Sequence, residues 1–484
     1  MNYRMLGYLL GIILLIEAAL MALPALVAVI YGESVWPFLV TMAVLVAASA
    51  PFVIFKPKDT GIYAREGFVC VGAAWILMSA FGALPFVFSG AIPNYIDAFF
   101  ETVSGFTTTG ATILGAVEGL PMGILFWRSF THWVGGMGVL VFMLAIMPSD
   151  NGRAMYLLRA EVPGPTKDKL VPKMRQSALI LYGIYVMLTV IMVIALLCTG
   201  MEFYDSLVNS FATAGTGGFS VKNTSIAGYN NPAAEWVVAV FMLIFGVNFN
   251  IYFLLLVKKF KSVLKNEELR IYLIICVVAT AVISINTLTS IQGLGVAKGI
   301  RDAFFQVTTI ISTSGFSTTN YDALWPTLSK AILILLTVTG ACAGSTAGGM
   351  KLSRVALAVK SIFRNIKQMV RPKSVNPVRM DGDIVPDETL RATTSYVTIY
   401  FAALIVCALV LSADAINYNF ETNVTAALTC LNNVGPGLGA VGPAGNFAAY
   451  SWLSKSVLSF LMLFGRLEFM PMLILFSPSS WKRH

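Results

Sequence analysis

The stretch DAFFQVTTIISTSGFS (302–317) decides how the chain is read. An acidic residue opens an amphipathic run of about two to three helical turns, and the run ends in small hydroxyl residues and a glycine. The same window recurs as DAFFETVSGFTTTGAT (97–112) and DSLVNSFATAGTGGFS (205–220), and more loosely as TNVTAALTCLNNVGPG (422–437). In the first three, Asp97, Asp205 and Asp302 each stand thirteen residues before a glycine, namely Gly110, Gly218 and Gly315. In the fourth, Thr422 replaces the acid and Gly435 holds the glycine position. Four short helix-then-glycine units in an apolar chain predict four re-entrant segments meeting on one axis.

The surrounding chain has the composition of a membrane protein. Of its 484 residues 57% are hydrophobic and 12% charged, with mean hydropathy +0.78. Soluble domains carry about a quarter charged residues, and long apolar stretches without alternation indicate helices rather than a β-barrel. The fold class expected is therefore an all-α integral membrane protein. The net charge of +9 reports topology in such a chain and does not imply nucleic acid. The first apolar run, 5–31, is too long for a signal-peptide core and reads as a permanent helix. Cys70, Cys198, Cys276, Cys342, Cys407 and Cys430 lie in apolar surroundings without paired spacing, and only His132 and His484 accompany them. They read as structural thiols, not as disulfides or a zinc or haem site.

A hairpin of helices at 5–31 and 35–55 precedes a module that repeats four times: membrane helix, glycine window, membrane helix. The flanking helices are expected at 67–88 and 122–147, 177–199 and 234–257, 269–291 and 329–350, and 393–412 and 452–476, each near the twenty residues a bilayer requires. The domain plan is a hairpin (1–58) and four pore repeats (59–150, 151–262, 263–385 and 386–484). Each window is too short and polar to span, so it enters and leaves on one side. Of the 33 Lys and Arg, 26 fall on the opposite side, which places both termini in the cytoplasm and the windows outside. All four modules then share one orientation, unlike the inverted halves of many carriers.

A cation stripped of water needs oxygens, and a non-helical backbone can supply carbonyls. Glycine permits the conformations that requires. The candidate filter comprises Thr108, Thr109 and Gly110; Thr216, Gly217 and Gly218; Thr313, Ser314 and Gly315; and Asn433, Val434 and Gly435. The short helices would aim their negative C-terminal ends at a cation. No acidic ring argues for calcium and no basic cluster argues for an anion, so a monovalent cation fits best. Close helix packing by small residues is the alternative use of such glycines.

These windows, with TTTGAT (107–112), RAEVPGP (159–165), ACAGSTAGGMK (341–351), NNVGPGLG (432–439) and LFGRLE (463–468), resemble the Trk/Ktr/HKT superfamily of potassium transporters, specifically its TrkH branch, over nearly the whole length. The resemblance implies a fold of four pseudo-symmetric repeats around a pore and potassium (K+) as the transported ion, with no organic cofactor. It also implies a location in the cytoplasmic (inner) membrane, a homodimer in which each chain owns its pore, and a cytosolic TrkA-type nucleotide-binding regulatory partner. Relatives with serine at the first filter position tend to admit sodium, so Gly110 implies potassium preference.

Seven of the ten residues from Gly340 to Gly349 are glycine or alanine, which predicts a poor, flexible helix. Gly344 and Gly349 have phosphate-loop spacing, but Met350 separates Gly349 from Lys351, so nucleotide binding is disfavoured. The resemblance implies that this stretch (Gly340, Ala343, Gly344, Ser345, Thr346, Ala347, Gly348, Gly349, Lys351) is an intramembrane gate. Packing alone is the other reading. Arg466, inside the last apolar helix, is a functional candidate by its cost, and the resemblance places it in the pore below the filter. A salt bridge to another helix is its alternative. Glu17, Asn248 and Asn250 are expected to hydrogen-bond between helices. The basic segment from Lys351 to Arg391 reads as a cytoplasmic loop facing acidic lipid or, by the resemblance, the regulatory partner. A proton- or sodium-coupled symporter using the same filter remains open. A lipid-modifying enzyme does not, for want of clustered catalytic residues.

Overall fold

The computed structural model describes residues 1–57, 63–138, 174–374, 376–414, 416 and 418–481. Helices dominate, and one two-residue antiparallel ribbon (Arg379–Met380 with Asp383–Ile384) is the only sheet among the described residues. Six helices are long and apolar enough to cross a membrane, or seven if one bent pair counts as a span. They are the two of the hairpin and one at 65–88, followed by 176–198, Glu267–Ser290 and Asp387–Ser412. Each of the last four is the first membrane helix of a repeat, and their outward sides carry exposed Ile, Val and Leu side chains, as lipid contact requires.

The hairpin (Tyr3–Leu20, continued by Ala22–Ile30, and Trp36–Ile54) clamps onto the first repeat. Glu33 in its turn accepts hydrogen bonds from Met122 N (2.6 Å) and Gly123 N (2.9 Å). That carboxylate caps the helix Met122–Gly136, where a negative charge meets unpaired N–H groups.

Four pore helices lie inside this shell: Tyr95–Phe106, Phe203–Gly215, Val296–Ile311 and Phe420–Asn432. Asn94 and Asn419 cap the first and last, accepting from Asp97 N and Thr422 N respectively. In the third, the expected start at Asp302 is too late. The helix opens at Val296, more than a turn earlier, and Arg301 pairs with Glu235 of the second repeat at 2.5 Å. The extra turn reaches the partner that the isolated window lacks.

The second membrane helices differ from expectation more widely. Only the third repeat was expected to break, yet continuous helices at 234–257 and 452–476 are absent. The second repeat has Pro232–Phe245 and Phe249–Leu256, bent by 90°. The fourth has Trp452–Arg466 and Met470–Phe476, with Glu468 and Phe469 at positive φ between them. The third has Thr327–Thr339 and Leu352–Val370, separated by residues 340–351. In the first, the helix ends at Gly136, and the expected continuation to 147 lies outside the described residues, as do RAEVPGP (159–165), Lys58 and Lys482–Arg483. Glycines stand near these helix ends, where neighbouring elements come closest. A Cβ on Gly135 would sit 1.8 Å from Phe106 O, one on Gly246 2.3 Å from the Tyr272 hydroxyl, and one on Gly465 2.0 Å from Leu431 O. The basic segment is likewise not one loop: Leu352–Val370 is an amphipathic helix, followed by the small ribbon.

Candidate ion-conducting site

The four windows have one backbone. Two residues before each glycine the chain takes a left-handed conformation: Thr108 (φ 55°), Thr216 (58°), Thr313 (58°) and Asn433 (54°). Gly110, Gly218, Gly315 and Gly435 are also left-handed, at φ 78°, 78°, 80° and 94°. The residue between has ordinary φ, so the hand alternates and neither helix nor strand continues. The hydrogen bonds repeat too. Thr109 N donates to Ser104 O (2.9 Å), Gly217 N to Ala212 O (2.8 Å), Ser314 N to Thr309 O (2.8 Å) and Val434 N to Thr429 O (2.9 Å). Each bond satisfies a carbonyl that a helix end would leave unpaired.

The windows close on one another in a ring. A Cβ on Gly110 would lie 1.9 Å from Gly217 O; on Gly218, 2.0 Å from Ser314 O; on Gly315, 2.2 Å from Val434 O; and on Gly435, 2.6 Å from Thr109 O. Each glycine thus abuts the carbonyl of the residue before the next repeat's glycine, and the fourth returns to the first. Only a hydrogen atom fits at these positions.

Left-handed backbone costs a β-branched residue about 1–3 kcal/mol, yet threonine takes it three times. All three side chains are buried. Thr313 Oγ1 accepts from Gly348 N at 2.7 Å, Thr216 Oγ1 donates to Gly215 O at 2.6 Å, and Thr108 Oγ1 has no hydrogen-bond partner among the described residues. Flanking hydroxyls brace two windows, with Thr107 and Thr109 meeting at 2.8 Å and Ser312 and Ser314 at 2.8 Å. In the fourth, Asn433 Nδ2 donates to Thr109 Oγ1 and to Met462 O, both at 2.9 Å.

Polar contacts that no local pattern announces join neighbouring repeats outside the ring. Lys455 of the fourth meets Asp97 of the first at 2.6 Å. Within the first repeat, Arg128 meets buried Glu101 at 2.6 Å, and Glu101 also accepts from Ile113 N, just past the window. Asp322 of the third accepts from Gly439 N of the fourth at 2.9 Å.

Residues 340–351 lie directly beneath the ring. Gly340, Gly344 and Gly349 are left-handed, and so is Lys351 (φ 72°). A Cβ on Gly348 would stand 2.4 Å from Asn432 O and 2.9 Å from Asn433 Cβ, so the loop touches the fourth window as well as Thr313. Ser345 Oγ donates to Cys342 O within the loop, at 2.6 Å. Phe249 N donates to Gly344 O at 2.9 Å, threading the loop into the break of the second repeat. Lys351, counted in both the gating stretch and the basic segment, is buried, and its Nζ donates to Ala347 O. Glu268, which no local pattern singles out, accepts from Ala343 N (2.8 Å) and Ser353 N (3.0 Å), tying both ends of the loop to one carboxylate.

Arg466 donates to Thr346 O (2.7 Å) on the loop and to Gly135 O (2.5 Å) and Gly136 O (2.8 Å) on the first repeat. Its neighbour Glu468 turns away to pair with Arg354, whose guanidinium stacks 4.2 Å from the Tyr396 ring. Of the polar residues expected to bridge helices, Asn248 lies against Gly344 and also caps its own helix, accepting from the backbone N of Asn250 (2.9 Å). Glu17 is buried with no hydrogen-bond partner among the described residues. Its carboxylate lies against Gly82, beside Phe106 and Thr102.

A bundle of this kind is a helical membrane transporter, not an enzyme. The sequence matches the TrkH family profile, described as a cation transport protein, over residues 38–483. The Trk system potassium uptake protein TrkH of Escherichia coli K12 is 37% identical over 493 residues, with all of both chains covered, and that of Vibrio parahaemolyticus is 35% identical over 491 residues with the same coverage. The crystal structure of the potassium transporter TrkH from Vibrio parahaemolyticus superposes with a TM-score of 0.90 at 32% identity, covering 100% of each chain. The chain belongs to the TrkH family of cation transport proteins.

Proposed function

We propose that the chain carries potassium inward across the cytoplasmic membrane through a selectivity filter formed by Thr108–Gly110, Thr216–Gly218, Thr313–Gly315 and Asn433–Gly435. The closed ring of glycines against carbonyls carries this reading. A ring of fixed, neutral oxygens replaces the hydration shell of a weakly hydrated cation without binding it too tightly to leave. Potassium is the ion named for the full-length relatives, and rubidium is its tracer. Strain at three threonines in the ring fits a conformation kept for use.

Residues 340–351 act as the gate in this proposal, held shut by Thr313, by Glu268 and by Arg466, whose fixed positive charge also tunes cation passage. The four repeats and hairpin, as bounded above, would be the working units, with windows outside and both termini in the cytoplasm. The helix Leu352–Val370, continuous with the gate, would receive a TrkA-type nucleotide-binding partner, and the protein would work as a homodimer.

Reconstitution into liposomes tests the proposal. Purified protein with its regulatory partner should pass rubidium, and the reversal potential should follow potassium alone. A reversal potential that moved with the proton or sodium gradient would establish coupled symport instead, and no flux would refute permeation. Gly110→Ser should raise sodium permeability relative to potassium, and unchanged selectivity would count against a carbonyl ring.

A further inference from the structure

The second window is built differently from the others. Its positions one and three residues before the glycine are Gly217 and Gly215, where the first repeat has Thr109 and Thr107 and the third has Ser314 and Ser312. It therefore lacks the pair of hydroxyls that braces those two. Unfilled, the space behind Gly217 would leave its carbonyl, the one that faces Gly110, free to shift.

An imidazole occupies that space. His132, on the second membrane helix of the first repeat, is fully buried. A Cβ on Gly217 would fall 2.3 Å from its Cγ and Nδ1 and 2.5 Å from its Cδ2, and one on Gly215 would fall 2.2 Å from its carbonyl oxygen. The ring also has two polar contacts. Nδ1 lies 2.7 Å from Gly105 O in the first pore helix, and Nε2 accepts from Phe219 N at 3.3 Å, one residue past Gly218. A carbonyl only accepts and an amide N–H only donates, so these partners select the neutral tautomer with the proton on Nδ1. The imidazole lies 4.1 Å from the Phe219 ring, and Phe219 packs 3.5 Å from the Arg128 guanidinium carbon. Arg128 in turn donates to Ser220 O. Both residues flanking the end of the second window are thus held by one helix of the preceding repeat.

We propose that His132 is a positioning residue that determines specificity: its imidazole stands in for the side chain missing at Gly217 and fixes the second window relative to the first. This rests on the filter reading above. Histidine suits the task because a rigid ring fills the volume of the side chain absent at Gly217, while the His132 backbone closes against Gly215, and the ring offers one donor and one acceptor. The coupling runs between repeats, so an error in one window would spread to its neighbour's glycine.

Four variants test this, measured in liposomes as the ratio of potassium to sodium permeability, with rubidium flux and monodisperse elution as folding controls. H132A should lower the ratio about tenfold, the effect of about 1.4 kcal/mol of lost discrimination. G217S, which forces a side chain into the ring, should lower it similarly. H132A/G217S moves the filling group from the neighbouring repeat onto the window itself, where the first and third windows carry Thr109 and Ser314, and should recover most of the native ratio. H132Q, with one donor and one acceptor, should stay near native and serves if H132A does not fold. Native selectivity in both single variants, or a double variant no better than H132A, would overturn the assignment while leaving the filter intact. A wild-type protein that does not discriminate potassium from sodium would overturn the filter reading and this inference with it.

Discussion

The ring of windows and the breaks beneath it are built from the same four repeats under opposite rules. In the ring, the four windows hold one backbone: left-handed residues at the glycine and two before it, with the same hydrogen bond back into the pore helix. Below, no two described repeats break alike. One bends by 90° between Phe245 and Phe249, one unwinds for twelve residues from Gly340 to Lys351, and one kinks at Glu468 and Phe469. Where four elements must present equivalent groups to one spherical ion, symmetry is imposed through the backbone. If, as proposed, one element moves while the others hold it, asymmetry is required.

This contrast can be broken by substitution, and the ring offers the largest effect. Gly218→Ala places a methyl 2.0 Å from Ser314 O on a left-handed backbone. Rubidium uptake should fall by at least about a hundredfold, as overpacking by several kcal/mol demands. Gly435→Ala, with 2.6 Å available, should lose less, and equal losses would mean the ring is not what the glycines serve. Next, removing residues 344–348 should raise flux in a protein that still folds, whereas a silent pore would show that the loop only packs.

A smaller step isolates the contact between the two regions. Thr313→Val removes the acceptor for Gly348 N and should raise flux about fivefold without its partner protein, near the value of one hydrogen bond. No change would mean that ring and loop are uncoupled there. The smallest effect lies in the fourth repeat, outside both regions. Asp414 accepts from Ser451 N (3.1 Å), Ser451 Oγ (2.6 Å) and Ser454 Oγ. Its slight burial would raise its pKa, but these serine bonds outweigh that and hold it down from the ordinary 3.8 to about 2. Its contribution is present above pH 3.8 and lost as pH falls through about 2. Thermal unfolding of D414N should therefore lack that part of the wild-type acid loss, and parallel curves would refute it.

What could be read in the sequence follows the same division. The windows, the family resemblance and the helical membrane fold were legible because left-handed glycines and amphipathic spacing are local signals. The breaks at 246–248 and 467–469 were not, because GVN and LEF carry no proline and sit within apolar runs. What surrounds them, Tyr272 at Gly246 and Leu431 at Gly465, comes from distant parts of the chain. Pairings such as Asp97 with Lys455, 358 residues apart, leave no trace in either local stretch. His132 was visible only as one of two histidines, and its surroundings come from another repeat.

The way the ring closes bears on how the protein is made. Its last joint is between Gly435 and Thr109, reinforced by the Asn433 to Thr109 hydrogen bond across 324 residues of chain. Such distant contacts form late, and a chain is synthesised from its N-terminus. A ribosome that has delivered three repeats has made a membrane protein with an open-sided pore wall. With the filter as proposed, selectivity would be acquired at once, when the fourth repeat docks. Quality control of this transporter then has a single late event to monitor, and chains cut short before residue 433 would be a hazard to the membrane's ion gradients.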